Sequence, residues 1–346
     1  MGKFPEIAKA DGDQKVYLPH VSNGSKEPII ADHTVVERYQ NIPQITIDQV
    51  KTMWVDIPGE SHSYGYRKGC LLLQNLDNRF QVNVIDGGTP EGTTNQHLRI
   101  SRATWGDVND TTGWRYSYGE EDWYTSATAI QRTKDHLTYC NAHNLAIAAM
   151  GFGWCWDMTW VNNPGGTVDP VYQLRWAGSS VGGPDGNLRW GLDAGDQALT
   201  GNRVCMDDYL NATQEYISHC QSNGYPTRLF FTTGPVDGGG NIGENGYQRQ
   251  LKHEYIRNFV RAGNGCILFD YADILCWSDA GQESTTSWTD FGGTSHTFQR
   301  IHDDNMLDLN GSYVEDGDHI GERGALRLAK ALWWMLARMA GWRGLI

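Results

Sequence analysis

The feature that most constrains this chain is a regular alternation of short apolar runs with longer stretches of helical periodicity. Five runs read as strands: Met53–Ile57, Phe80–Ile85, Leu145–Met150, Arg228–Thr233 and Cys266–Phe269. Each is too short to be a stable buried helix. Helical spacing of apolar residues fills Tyr66–Gln74, Ala127–His143, Cys205–Gln221, Tyr247–Arg261 and Gly321–Met339. In the last of these Ala325, Leu328, Leu332, Met335 and Met339 recur at steps of three and four. Parallel strands need crossover connections and helices supply them, so this alternation predicts an α/β domain with a mostly parallel sheet and helices on both faces. Hydrophobic residues make up 39% of the 346 positions, which is enough to fill such a core.

Residues 1–45 are polar, with a turn signal at Asn23-Gly24-Ser25, and read as an N-terminal arm wrapping the domain. Residues 46–346 read as one domain, opening on Thr46 as N-cap of a short helix that runs into Met53. Two insertions interrupt the alternation, at about 154–203 and at 234–246. The first carries Trp154, Trp156, Trp160, Trp176 and Trp190 among glycines; the second carries Gly238-Gly239-Gly240. Long loops on an α/β scaffold usually build the ligand site. The glycine run lacks the Lys-Ser/Thr ending of a phosphate-binding loop and the spacing of a dinucleotide fingerprint.

A net charge of −13 argues against nucleic acid, because affinity for phosphates comes from cationic side chains. The seven cysteines show no metal-ligand spacing and read as buried thiols, with room for one disulfide in the loop-rich middle. Met1–Ala10 carry no apolar leader core and no stretch reaches membrane-spanning length, so the chain reads as soluble with no membrane partner. A leader removed upstream leaves the same sequence, so the compartment, secreted or periplasmic included, stays open, as does the oligomeric state.

Two segments carry chemistry. Gly59-Glu60-Ser61-His62-Ser63-Tyr64-Gly65-Tyr66 follows the first strand and leads into a helix. A serine at that turn sits on the carboxyl edge of the sheet, where open α/β folds bind ligands, with the N–H groups of a helix start behind it. Taken alone it is a helix cap. Asp316-Gly317-Asp318-His319 precedes the last helix. A serine hydroxyl needs a base to become a nucleophile; histidine is the usual one, and a carboxylate three residues earlier can fix its tautomer.

These two segments resemble the opening Gly-Asp-Ser-x-Ser/Thr-x-Gly block and the closing Asp-x-x-His block of the SGNH (GDSL-type) serine hydrolases. The resemblance spans roughly residues 53–340. It implies a flavodoxin-like three-layer α/β/α sandwich about a mostly parallel five-stranded sheet, with Ser61 as nucleophile and Asp316 and His319 completing a triad. It also implies an oxyanion glycine, for which Gly92 in Gly87-Gly88-Thr89-Pro90-Glu91-Gly92 is the nearest match and Gly88 the alternative. The chain departs from the family pattern at three places. Glu60 stands for the usual aspartate, and Ser63 offers a second hydroxyl. The Gly-x-Asn of the third block is replaced by Gly151-Phe152-Gly153-Trp154, which leaves the Trp154 backbone or indole N–H as a substitute oxyanion donor.

His62 is placed to orient substrate or simply to pack. Asp270, Asp273 and Asp279 follow the last strand and read as caps or pocket lining, and His302 with Asp303 and Asp304 lacks a diagnostic metal spacing. Fourteen tryptophans and sixteen tyrosines, several in glycine-rich loops, favour a glycan ester, since aromatic faces stack on sugar rings as readily as they fill a core, and the loops lack the long apolar lid expected of a lipase. The expected activity is ester hydrolysis on an acylated, for instance acetylated, carbohydrate, with no cofactor and no metal. Two other readings are a glycoside hydrolase using carboxylates such as Glu60, Asp273 and Asp318, and a carbohydrate-binding protein with a degenerate site.

Overall fold

The structure, a computed structural model, describes residues 27–116, 122–154, 192–193, 205–238, 242–263, 266–289, 293–314 and 319–344. In chain order its main elements are β1 (Ile29–Ala31), α1 (Gln44–Lys51), β2 (Trp54–Asp56), α2 (Ser63–Leu76), β3 (Val82–Ile85), β4 (Leu98–Ser101), α3 (Ala127–Ala142), β5 (Ala149–Met150) and α4 (Met206–Asn223). There follow β6 (Arg228–Leu229), β7 (Phe231–Thr232), α5 (Gly243–Ala262), β8 (Ile267–Phe269), α6 (Tyr271–Cys276), the hairpin strands β9 (Thr285–Thr289) and β10 (Ser295–Gln299), and α7 (Glu322–Met339).

Five strands form an all-parallel sheet in the order β3-β4-β2-β5-β6, and three more pair in parallel as β1-β8-β7. Only Phe230 separates β6 from β7, and its N–H donates to Met150 O. The chain is therefore α/β, as the alternation predicts. Side chains leave each strand in opposite directions. Trp54 and Leu268 join a core with Leu137, Tyr209, Tyr216 and Ile256 of α3, α4 and α5, whereas Val55, Ile267 and Phe269 join one with Tyr66, Leu73, Leu328 and Leu332 of α2 and α7. All five periodic positions of α7 are buried.

Three local expectations differ. Residues 29–31, read as part of the arm, pair with β8 as a strand; residues 1–26 lie outside the described residues. Strand β4 was hidden because Arg99 interrupts its apolar run, although Arg99 is buried with Nη1 on Glu91 O and Nη2 on Thr52 O. Helix α1 begins two residues before Thr46, with Pro43 at the cap position, where its missing N–H costs nothing. The six described cysteines are free thiols; Cys155 lies outside the described residues, as does most of the 154–203 insertion. Among the described residues no helix is long and apolar enough to cross a membrane.

Helices α2 and α7 decide where the two chemical segments meet. Gly69 of α2 faces Ala325 of α7 so closely that a Cβ there would collide with the Ala325 carbonyl. Backbones at this separation set the two helix starts side by side, one led by Ser61 and the other by His319.

Candidate active site

Past β2 the chain turns through Ile57-Pro58-Gly59-Glu60-Ser61-His62 into α2. Gly59 holds φ +126°, a conformation open to glycine, and bridges in parallel to Gly153 beyond β5. Glu60 N–H donates to Gly153 O and Gly153 N–H donates to Pro58 O, both at 2.8 Å. A Cβ on Gly59 would strike the Gly153 carbonyl, and one on Gly153 would strike the Ser63 Cβ. Two glycines thus let the serine turn lie directly on the segment after β5.

Ser61 and His319 are brought together across the whole domain: His319 Nε2 lies 3.1 Å from Ser61 Oγ. His319 has φ +60°, and Ile320 behind it is buried. Gly321 N–H donates to Asn305 O at 2.8 Å, while the Asn305 side chain donates to Leu275 O and Trp277 O. Asn305 therefore braces the histidine turn against α6. Asp316 and Asp318 lie outside the described residues.

Ser63 does not face His319. It is buried at the start of α2, and its Oγ accepts from Arg67 Nη1 at 2.8 Å, with Arg67 in turn paired to Asp86 at 3.0 Å. Gly92 is not brought to Ser61 either. It is exposed, and its neighbour Glu91 is held by Asn83 and His97 and, through its carbonyl, by Arg99, whose other nitrogen reaches Thr52 before the start of β2. Ser61 lies past the opposite end of that strand. Gly88 lies closer to the correct edge, just beyond β3, its carbonyl accepting from the Tyr116 hydroxyl. The Trp154 indole, expected as a substitute donor, is spent inside the fold: its N–H donates to Thr232 O and Oγ1 at 3.1 Å.

The Ser61 N–H donates to no group among the described residues and is available to an oxyanion. It stands ahead of the start of α2 with the start of α7 alongside, so two helix dipoles favour negative charge here. His62 is buried, its Nδ1 2.9 Å from Trp154 O and its ring 5.1 Å from that of His319. Burial, and then the neighbouring His319 charge, pushes the His62 imidazole down to about 3, so it is neutral at ordinary pH.

The carboxylates after β8 are otherwise engaged. Asp270 caps α6 and pairs with Arg257 at 2.6 Å, Asp273 meets His33 Nδ1 at 2.5 Å, and Asp279 pairs with Arg327. His302 caps the turn that holds Asp303 and Asp304. Asp32, His33 and Asp273 are close enough to share an ion, but His33 and Asp273 are already bonded to each other. One network escaped the sequence reading. Beneath the serine turn the buried Asp56 carboxylate accepts from Ser101 Oγ at 2.7 Å and from His136 Nε2 at 3.2 Å, and Trp54 Nε1 donates to Ser101 Oγ. The available signal was a charged residue closing an otherwise apolar strand.

Compared with known proteins, the chain matches no family model, no curated protein and no solved structure.

Proposed function

We propose that the protein is a serine esterase of SGNH type, on a three-layer α/β/α fold, that removes an acyl group such as acetyl from a carbohydrate. The observation that carries this reading is the 3.1 Å approach of His319 Nε2 to Ser61 Oγ at the carboxyl edge of a parallel sheet. In the reaction His319 takes the Ser61 proton as Oγ attacks the ester carbonyl, and the Ser61 N–H steadies the tetrahedral oxyanion. The imidazolium then protonates the departing sugar hydroxyl. Water, deprotonated by the same imidazole, attacks the acyl-serine, the carboxylic acid leaves and Ser61 Oγ recovers its proton. The role of orienting carboxylate is assigned to Asp316 on the strength of the Asp316-Gly317-Asp318-His319 pattern.

A sugar on the alcohol side is favoured by the aromatic content and by Tyr64, one turn from Ser61 and 40% exposed. The glycosidase reading draws less support, because Asp273 is bonded to His33 and Gln299 rather than standing open to a sugar. The test is turnover of acetylated glycans together with fluorophosphonate labelling. Ser61→Ala is expected to abolish both; unchanged ester turnover in that variant would sink the proposal.

A further inference from the structure

Two imidazoles approach the Ser61 hydroxyl, His319 Nε2 at 3.1 Å and His62 Nδ1 at 3.5 Å. Distance alone does not say which is the base. His62 Nδ1 also lies 2.9 Å from the Trp154 carbonyl oxygen. A carbonyl only accepts, so His62 Nδ1 carries a hydrogen and donates it there. The atom of His62 nearest Ser61 therefore has no lone pair to offer, which leaves His319 Nε2, at 3.1 Å, as the imidazole nitrogen that can accept the Ser61 proton in its Nδ1–H tautomer.

Building on the reading of Ser61 as nucleophile, we propose that the Trp154 carbonyl, acting through His62, selects His319 as the sole base, and that His62 is a positioning residue rather than a substrate contact. Without this latch the Ser61 O–H could turn towards a buried ring unable to hold its proton. With it, His319 Nε2 is the imidazole nitrogen among the described residues that can accept from the hydroxyl. The same bond carries the clamp between the serine turn and the β5 segment one residue beyond Gly153. It also fixes the ring that packs against His319 at 5.1 Å and, edge-on, against Tyr271 at 5.8 Å.

Asparagine Nδ2 stands close to where histidine Nδ1 does, so His62→Asn can keep the donor to Trp154 O while His62→Leu cannot. The experiment follows modification of Ser61 in the full chain by a fluorophosphonate, read by mass spectrometry over a range of probe concentrations. Labelling of His319→Ala is expected at the background of Ser61→Ala. His62→Leu should label at least about tenfold more slowly with unchanged probe affinity, and His62→Asn should recover to within about threefold of wild type. Imidazole 15N spectra of the wild type at pH 7 should show the His62 hydrogen on Nδ1. Labelling of His319→Ala that disappears when His62 is also removed, a His62→Asn variant no faster than His62→Leu, or a hydrogen on Nε2 each overturn the latch alone. A wild type that is not modified at Ser61 overturns the nucleophile reading, and this inference with it.

Discussion

At the scale of single residues the candidate site depends on two hydroxyls with different neighbours. Ser61 Oγ faces His319, whereas Ser63 Oγ accepts from Arg67 inside α2. Ser63→Ala is expected to retain Ser61 labelling and to lose about 1.5–3 kcal/mol of stability in denaturant unfolding, the usual value of a hydrogen bond from a buried charged group such as Arg67. Gly153 is less forgiving. Its backbone touches Ser63 and holds Glu60 through its carbonyl, so an added methyl has to push the serine turn off the β5 segment. Gly153→Ala should cost about 1–3 kcal/mol through overpacking and slow phosphonate labelling together. Normal labelling in a destabilised Gly153→Ala protein would show that the turn tolerates the shift.

Among the elements, the contact between α2 and α7 sets the distance between Ser61 and His319. Each helix begins beside one of the two side chains, Ser61 and His319, and Gly69 opposite Ala325 allows their backbones to touch. Gly69→Val places two methyl groups into that contact, at the buried face of both helices. The expected result is a loss of about 1–3 kcal/mol or more, with a fall in labelling rate larger than that of an equally destabilised variant elsewhere, because the helix starts are wedged apart. Unfolding curves and labelling rates of Gly69→Val and Leu137→Ala, the latter in the other core, make the comparison.

Over the whole molecule, buried neutral imidazoles make stability depend on pH. His62 is lowered from 6.5 to about 3, and His253, buried near Arg257, Arg249 and Lys252, is lowered well below its ordinary value, burial being the main cause in both. A histidine with a depressed folded pKa binds its proton in the unfolded chain first. Its effect on stability is absent above pH 6.5 and grows as pH falls towards the folded value. For His62 the slope is up to about 1.4 kcal/mol per pH unit between pH 6.5 and 3. His62→Asn should therefore show a shallower loss of stability on acidification than wild type in denaturant titrations at several pH values. Identical slopes would mean that His62 is not buried neutral.

The sequence by itself determined the alternation that makes an α/β fold, the register of α7 and the two segments that hold Ser61 and His319. It could do so because apolar periodicity and turn chemistry are local properties, repeated along the chain. Only the tertiary structure decided which hydroxyl meets the imidazole, because Ser61 and Ser63 lie on the same turn and differ in what lies across from them. Gly92 was what the family resemblance implied, yet the ties of Glu91 and Arg99 hold its segment towards the other end of the sheet. The Trp154 indole had a suitable donor, yet Thr232 had already taken it. Hydrogen-bond partners are chosen through space, after the strands have paired, and a linear pattern does not record them.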